Sequence, residues 1–128
     1  MNISAQQLGK WGEKLAAAYL INQGYTILAE NLNTPYGELD LIAEQVNQFN
    51  PEETTIIFVE VKTRRSHSFG YPEDSVTPIK QEHIIAAAQY YLQEHPSLES
   101  DWRIDVIAIE YYQDHDPVIQ HFENAVGE

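Results

Sequence analysis

Ile56-Ile57-Phe58-Val59-Glu60-Val61-Lys62 is the stretch that decides how this chain folds. From Ile56 to Val59 no polar residue interrupts either face and β-branched side chains dominate, the composition of a strand covered on both sides. The run then ends in an acid and a lysine two residues apart. Residues i and i+2 of a strand share a face, so Glu60 and Lys62 point the same way, about 7 Å apart along the chain. An unpaired charge in such a place is costly, and a partner or a metal ion makes it tolerable.

Upstream, Gly37-Glu38-Leu39-Asp40 opens a second strand that runs to about Glu44. Leu39, Leu41 and Ala43 alternate there with Glu38, Asp40 and Ile42, which puts Asp40 on the face opposite Leu39 and Leu41. Asp40 and Glu60 are the kind of carboxylate pair that Mg²⁺ takes, and the Val61 carbonyl is the simplest further oxygen ligand, with water and a phosphodiester filling the octahedron. Lys62 then stands beside the attacking water, where an ammonium orients it and stabilises negative charge building on phosphorus. The set suits metal-assisted phosphodiester hydrolysis. It also suits a plain same-face ion pair of Glu60 with Lys62 at the rim of a sheet, and the residues alone leave both readings open.

Around these strands the chain reads in the order α-β-β-β-α-β-β. Ser4 with Gln7 has the pattern of a capping box for a helix over about residues 5–23, closed by Gly24. Leu8, Trp11, Leu15, Ala18 and Tyr19 make its core stripe, Lys10 and Lys14 are solvated, and Glu13 falls off the stripe as a surface acid. Tyr25 to Glu30 reads as a strand, Asn31 to Tyr36 as a loop, and Val46 to Thr54 as a polar hairpin loop. A second loop runs from Thr63 to Val76, containing Ser66, His67, Ser68 and Gly70. Thr77 and Pro78 start another helix, with Ile84, Ala87, Ala88, Tyr91 and Leu92 as its core stripe and Pro96 as its stop. Trp102 to Tyr112 and Val118 to Phe122 complete the set of strands.

A chain of 128 residues is read as one α/β domain over 1–128. Without cysteine it has no disulfide or thiolate metal site, and no His-x-x-His pair suggests zinc. Neither a membrane span nor a secretory leader is visible, so the cytoplasm is the expected compartment and no membrane partner is expected. Seven Lys and Arg against twenty Asp and Glu give a net charge of −13, which argues against a simple nucleic-acid binder. Lys62, Arg64 and Arg65 form one local basic rim, and from charge alone Arg64 and Arg65 read as ordinary loop residues. The acidic surface also suits a basic protein partner.

The motifs Gly12-Glu13, Asn31-Leu32-Asn33, Gly37-Glu38-Leu39-Asp40-Leu41-Ile42-Ala43, Phe58-Val59-Glu60-Val61-Lys62, Gly70, Lys80, Arg103-Ile104-Asp105-Val106 and Glu123-Asn124-Ala125 follow in this order. Together they resemble the YraN family, small bacterial proteins predicted to be endonucleases and similar to archaeal Holliday-junction resolvases. The resemblance implies a restriction-endonuclease-like fold with a central mixed sheet flanked by helices, and an Mg²⁺ (or Mn²⁺) dependent nuclease acting on DNA rather than RNA, including branched or structured DNA. It implies Asp40, Glu60 and Lys62 as the catalytic core, Glu13 as a further catalytic and metal-binding acid, and Arg64, Arg65 and Lys80 as phosphate contacts. It also implies a homodimer. Glu38 and Asp105 read as structural, the latter paired with Arg103. The alternative is a module that kept the nuclease fold without turnover and binds nucleic acid or protein.

Overall fold

Ser4 and Gln7 start the first helix as their spacing predicts. The Ser4 hydroxyl accepts from the Gln7 N–H at 3.1 Å and the Gln7 side chain accepts from the Ser4 N–H at 2.8 Å, opening α1 (Ala5–Asn22). The helix stops at Gly24, whose φ of +95° is open to glycine and strained for other residues. The computed structural model describes residues 3–65, 76–96 and 101–127. The loop readings at Ser66, His67, Ser68 and Gly70 lie outside them.

β1 (Thr26–Thr34), β2 (Gly37–Asn47) and β3 (Asn50–Arg64) form an antiparallel meander. Thr77 caps α2 (Pro78–Glu94), which carries the chain to β4 (Asp101–Glu110), parallel to β3, before β5 (Val118–Phe122) returns antiparallel. The result is a mixed five-stranded sheet in the order β1-β2-β3-β4-β5, with the apolar β3 at its centre. Alternate β3 side chains serve two cores. Ile56 and Phe58 pack with α2 residues Ile84, Ala87, Ala88 and Tyr91, whereas Ile57 and Val59 pack with Ala16, Ala17 and Leu20 of α1. The two helices therefore cover opposite faces of the sheet. Among the described residues no helix is long and apolar enough to cross a membrane.

Three expectations fail, each for a local reason. Val46 to Thr54 is not a loop: the ladder continues through Gln45↔Thr55 and Val46↔Thr54 to a tight turn at Gln48 and Phe49. Thr54, Thr55 and Val46 favour extended backbone, and Asn47 closes the turn by accepting from the Phe49 N–H and donating to Glu53. Asn31 to Thr34 likewise belongs to β1 rather than to a loop. The third failure concerns α1. Its buried residues are Leu8, Gly12, Ala16, Ala17 and Leu20, Ala18 is exposed, and Trp11, Leu15 and Tyr19 stand on the flank.

The helix is thus turned toward its small residues by roughly one residue position, about 100°. Close approach to the sheet explains the turn: a Cβ on Gly12 would lie 1.9 Å from the Thr63 hydroxyl. Large apolar residues catch the eye in a helical pattern, but a helix lying this near a strand needs glycine and alanine at the contact. The consequence falls on Glu13. It lies inside the buried arc, between Leu20 and Ala17 on the helical wheel, and not on the solvated face.

Candidate active site

Alternation along β2 slips at Asp40. Leu41 and Ala43 pack on the α1 side with Ile57 and Val59, but Leu39 joins Ile42 in the α2-side core, so Asp40 is not simply opposite both Leu39 and Leu41 as expected. Across the ladder, the pairs Glu30↔Leu41 and Leu32↔Leu39 leave Asn31 facing Asp40, and Asn31 has a φ of +50°. Asparagine tolerates this left-handed conformation better than most residues. On the other side of β2, the registered pairing with β3 ends at Leu41↔Val59. Beyond it the Val61 N–H donates to the Asp40 carboxylate at 2.9 Å, so a side chain takes the place of the next main-chain partner. The strands part where Asp40 and Glu60 stand.

Several acids meet at this opening. The oxygens of Glu13 from α1 and of Glu38 and Asp40 from β2 come within 4.8 Å of one another. Asn31 holds two of the three, donating to Glu13 at 2.9 Å and to Glu38 at 3.2 Å. A groove of about 340 Å³ lined by Gln6, Gly9, Lys10, Glu13, Asn31 and Glu38 lies beside the cluster. From the β3 side, Glu60 is half-buried and pairs with Lys62 at 3.1 Å. Burial first, and then the Glu60 charge, push the Asp40 carboxyl up to about 8. The Val61 N–H opposes the rise, and the Glu13 charge and a hydrogen bond with Glu60 add to it.

Cations flank the acids on one side. Lys80, exposed in the first turn of α2, is pulled below the ordinary lysine value chiefly by the charge of Lys62, with Glu60 acting in the opposite sense. Two ammonium groups thus stand together next to Glu60. Arg64 is half-buried at the end of β3, and Arg65 donates to the Ile3 carbonyl at the start of the described chain. Asp40, Glu60, Lys62, Glu13 and Lys80 are therefore gathered at one end of the sheet. Glu38 and Asn31 join them unforeseen. In the sequence Glu38 reads as structural, and Asn31 falls in the Asn31-Leu32-Asn33 motif at the start of a loop, without a role at the site. Asp105 is elsewhere, completely buried and bonded to Arg103 as expected.

The profile of the uncharacterised protein family UPF0102 matches residues 12–109. The chain belongs to UPF0102. This is the YraN-like family that the motifs indicate. A UPF0102 protein of Syntrophotalea carbinolica is 43% identical over 98% of this chain and 95% of its own length. One from Syntrophomonas wolfei is 45% identical over 94% and 97%, and one from Dehalococcoides mccartyi is 35% identical over 100% and 99%. The matched span of the UPF0102 profile opens at Gly12, next to Glu13, and includes Asn31, Glu38, Asp40, Glu60, Lys62 and Lys80.

Burial of Asp40, together with the neighbouring carboxylates, makes the stability of this UPF0102 chain depend on pH. An unfolded aspartate titrates near 3.8, whereas the folded Asp40 keeps its proton to about 8. Between those values the folded state holds a proton that the unfolded state has released, so stability falls as pH rises through the window. Asp40→Asn removes the charge and keeps an oxygen for the Val61 N–H. Thermal melts in chelator are expected to show a flatter pH dependence for this variant, and a higher melting temperature than the parent above pH about 8.

Proposed function

We propose that this UPF0102 chain is a divalent-metal-dependent nuclease that hydrolyses phosphodiester bonds of DNA on a restriction-endonuclease-like fold. One observation carries the proposal: Asp40 is crowded by Glu13, Glu38 and Glu60 where the β2–β3 pairing ends, with Lys62 and Lys80 alongside. Carboxylates gathered at one point are mutually repulsive without a cation, and a set made only of hard oxygen donors fits Mg²⁺ or Mn²⁺. Asp40, Glu60 and Glu13 are the residues that would hold it. The Val61 carbonyl would join them, because the N–H and C=O of one strand residue point to the same side and the Val61 N–H already faces Asp40.

When bound, the ion supplies Lewis-acid polarisation of the phosphoryl group and a more acidic water. The remaining work falls to the side chains. Lys62 pairs with Glu60, one of the acids that would hold the ion, so its ammonium can orient the nucleophile and stabilise charge building on the phosphorus. Asn31 fixes Glu13 and Glu38, which keeps the acids from swinging apart. Lys80, with Arg64 and Arg65, provides the phosphate contacts. In a chain of net charge −13 this short basic rim supports weak, salt-sensitive binding of the backbone.

The test is cleavage by purified protein. Labelled single-stranded, duplex and branched DNA are incubated at low salt with Mg²⁺ or Mn²⁺, beside Asp40→Asn from the same preparation. Products that require the metal and are absent with Asp40→Asn support the reading. Background rates equal in both proteins, on every substrate, would overturn it.

A further inference from the structure

On the α2 side of the turn that leads into Glu38, two tyrosines make a cleft. Tyr36 lies between β1 and β2 and is 53% exposed, and its ring meets that of Tyr90 from α2 at 6.3 Å between centroids, inclined at 63°. The cleft measures about 150 Å³ and is lined by Tyr36, Ala86, Gln89, Tyr90 and Gln93. Gln89 and Gln93 are exposed one helical turn apart, so both amides border it, and among the described residues neither amide is taken up by a hydrogen bond. Hydrogen bonds tie the turn that presents Tyr36. The Thr34 hydroxyl accepts from the Tyr36 N–H at 3.1 Å and donates to the Gly37 carbonyl at 2.7 Å, and Gly37 takes a φ of +132° that a side chain would strain.

An exposed aromatic ring held in place, backed by a second ring and edged by two amides, matches the chemistry of a nucleobase: a flat face to stack on and donor and acceptor groups at its edge. Its position fits as well. Tyr36 stands in the turn that opens β2, four residues before Asp40, so their Cα atoms are at most about 14 Å apart. We propose that this cleft takes the base of an unpaired nucleotide beside the scissile phosphate, so that the substrate carries unpaired bases and is not continuous duplex. The proposal rests on the nuclease reading for what happens at the phosphate, but the cleft can be tested apart from it. A base locked in a duplex offers no free face to Tyr36, and stacking adds to the weak affinity that a short basic rim on an acidic protein draws from phosphates.

The experiment measures fluorescence anisotropy of a labelled oligothymidylate and of a duplex of equal length, using Asp40→Asn in chelator so that nothing is cut. Single strand is expected to bind tighter than duplex. Adding Tyr36→Ala is expected to weaken it about tenfold or more, while Tyr36→Phe retains it. Between low and physiological salt the affinity is expected to fall by no more than the few tens-fold that about three or four phosphate contacts account for, against a thousandfold or greater loss for proteins held by six or more phosphates. Tyr36 is exposed, so its truncation should leave the melting temperature unchanged. Equal binding by the Tyr36→Ala protein, or duplex bound as tightly as single strand, overturns the proposal even if the protein cuts DNA. Tyr36-dependent binding by a protein that cuts nothing upholds the cleft and removes the nuclease.

Discussion

Lys62→Met is expected to lower the rate of metal-dependent cleavage by at least about a hundredfold while the divalent ion still binds. The ammonium lies 3.1 Å from a Glu60 oxygen and is not itself an oxygen donor, so the metal keeps its ligands when Lys62 is lost. What disappears is positive charge beside the phosphorus as negative charge develops there. Methionine keeps the length and the apolar stem of the side chain, so packing around Val61 is little changed. Glu60, freed of its partner, should hold the ion at least as tightly as before. A plain ion pair makes a different forecast: single substitutions at Glu60 or Lys62 destabilise, and the double variant Glu60→Gln with Lys62→Met recovers most of the loss without any activity having been present. Single-turnover cleavage and chelator-controlled melts of the three variants separate these outcomes.

Asp105→Asn is expected to be the most damaging stability change away from the site, costing about 3 to 5 kcal/mol. Asp105 is completely buried and accepts from Arg103 at 2.9 and 3.2 Å and from the Asn124 N–H at 2.9 Å, and pairs with the His121 Nε2 at 2.7 Å. Arg103 also donates to the Tyr25 hydroxyl, and His121 Nδ1 meets the Tyr19 hydroxyl. One carboxylate therefore ties α1, β4, β5 and the turn after β5. Burial pushes the Asp105 carboxyl up, but the hydrogen bonds from His121, Arg103 and Asn124, with the Arg103 charge, outweigh it and leave it below its ordinary value. Its contribution is then complete above the unfolded value near 3.8 and is lost as pH falls through the lower folded one. Melts from neutral pH downward are expected to show a melting temperature lower by about 10 °C or more for the variant, and a smaller acid-induced step than the parent below pH about 4. Because Asp105 touches none of the acids at the opening, cleavage per folded molecule should be unchanged.

Order and capping were legible in the sequence because they rest on local chemistry. Ser4 with Gln7, Thr77 with Pro78, and the apolar run of β3 each act over a few residues, and each stands where its pattern places it. The failures share a different origin. The face of α1 depends on how closely a helix can approach Thr63, which no periodicity in α1 reports. The phase slip at Asp40 depends on Asn31 in the neighbouring strand and on a ladder with β3 that stops at Val59. Glu13 and Glu38 meet Asp40 through those two nonlocal facts together. Hence Glu60, Lys62 and Asp40 could be picked out by residue type and spacing and Glu13 only by resemblance, whereas the motifs that contain Asn31 and Glu38 give neither residue a place at the site.

The most direct measurement is calorimetric titration of Mn²⁺ into the chain and into Asp40→Asn, repeated in two buffers of different ionisation enthalpy. Binding to the parent protein is predicted, with release of about one proton below pH about 8, because the protonated Asp40 must ionise to take a cation. Its affinity should rise about tenfold per pH unit toward that value and fall sharply in Asp40→Asn. Heats absent from both proteins, or identical in both, would contradict a metal centre built on Asp40.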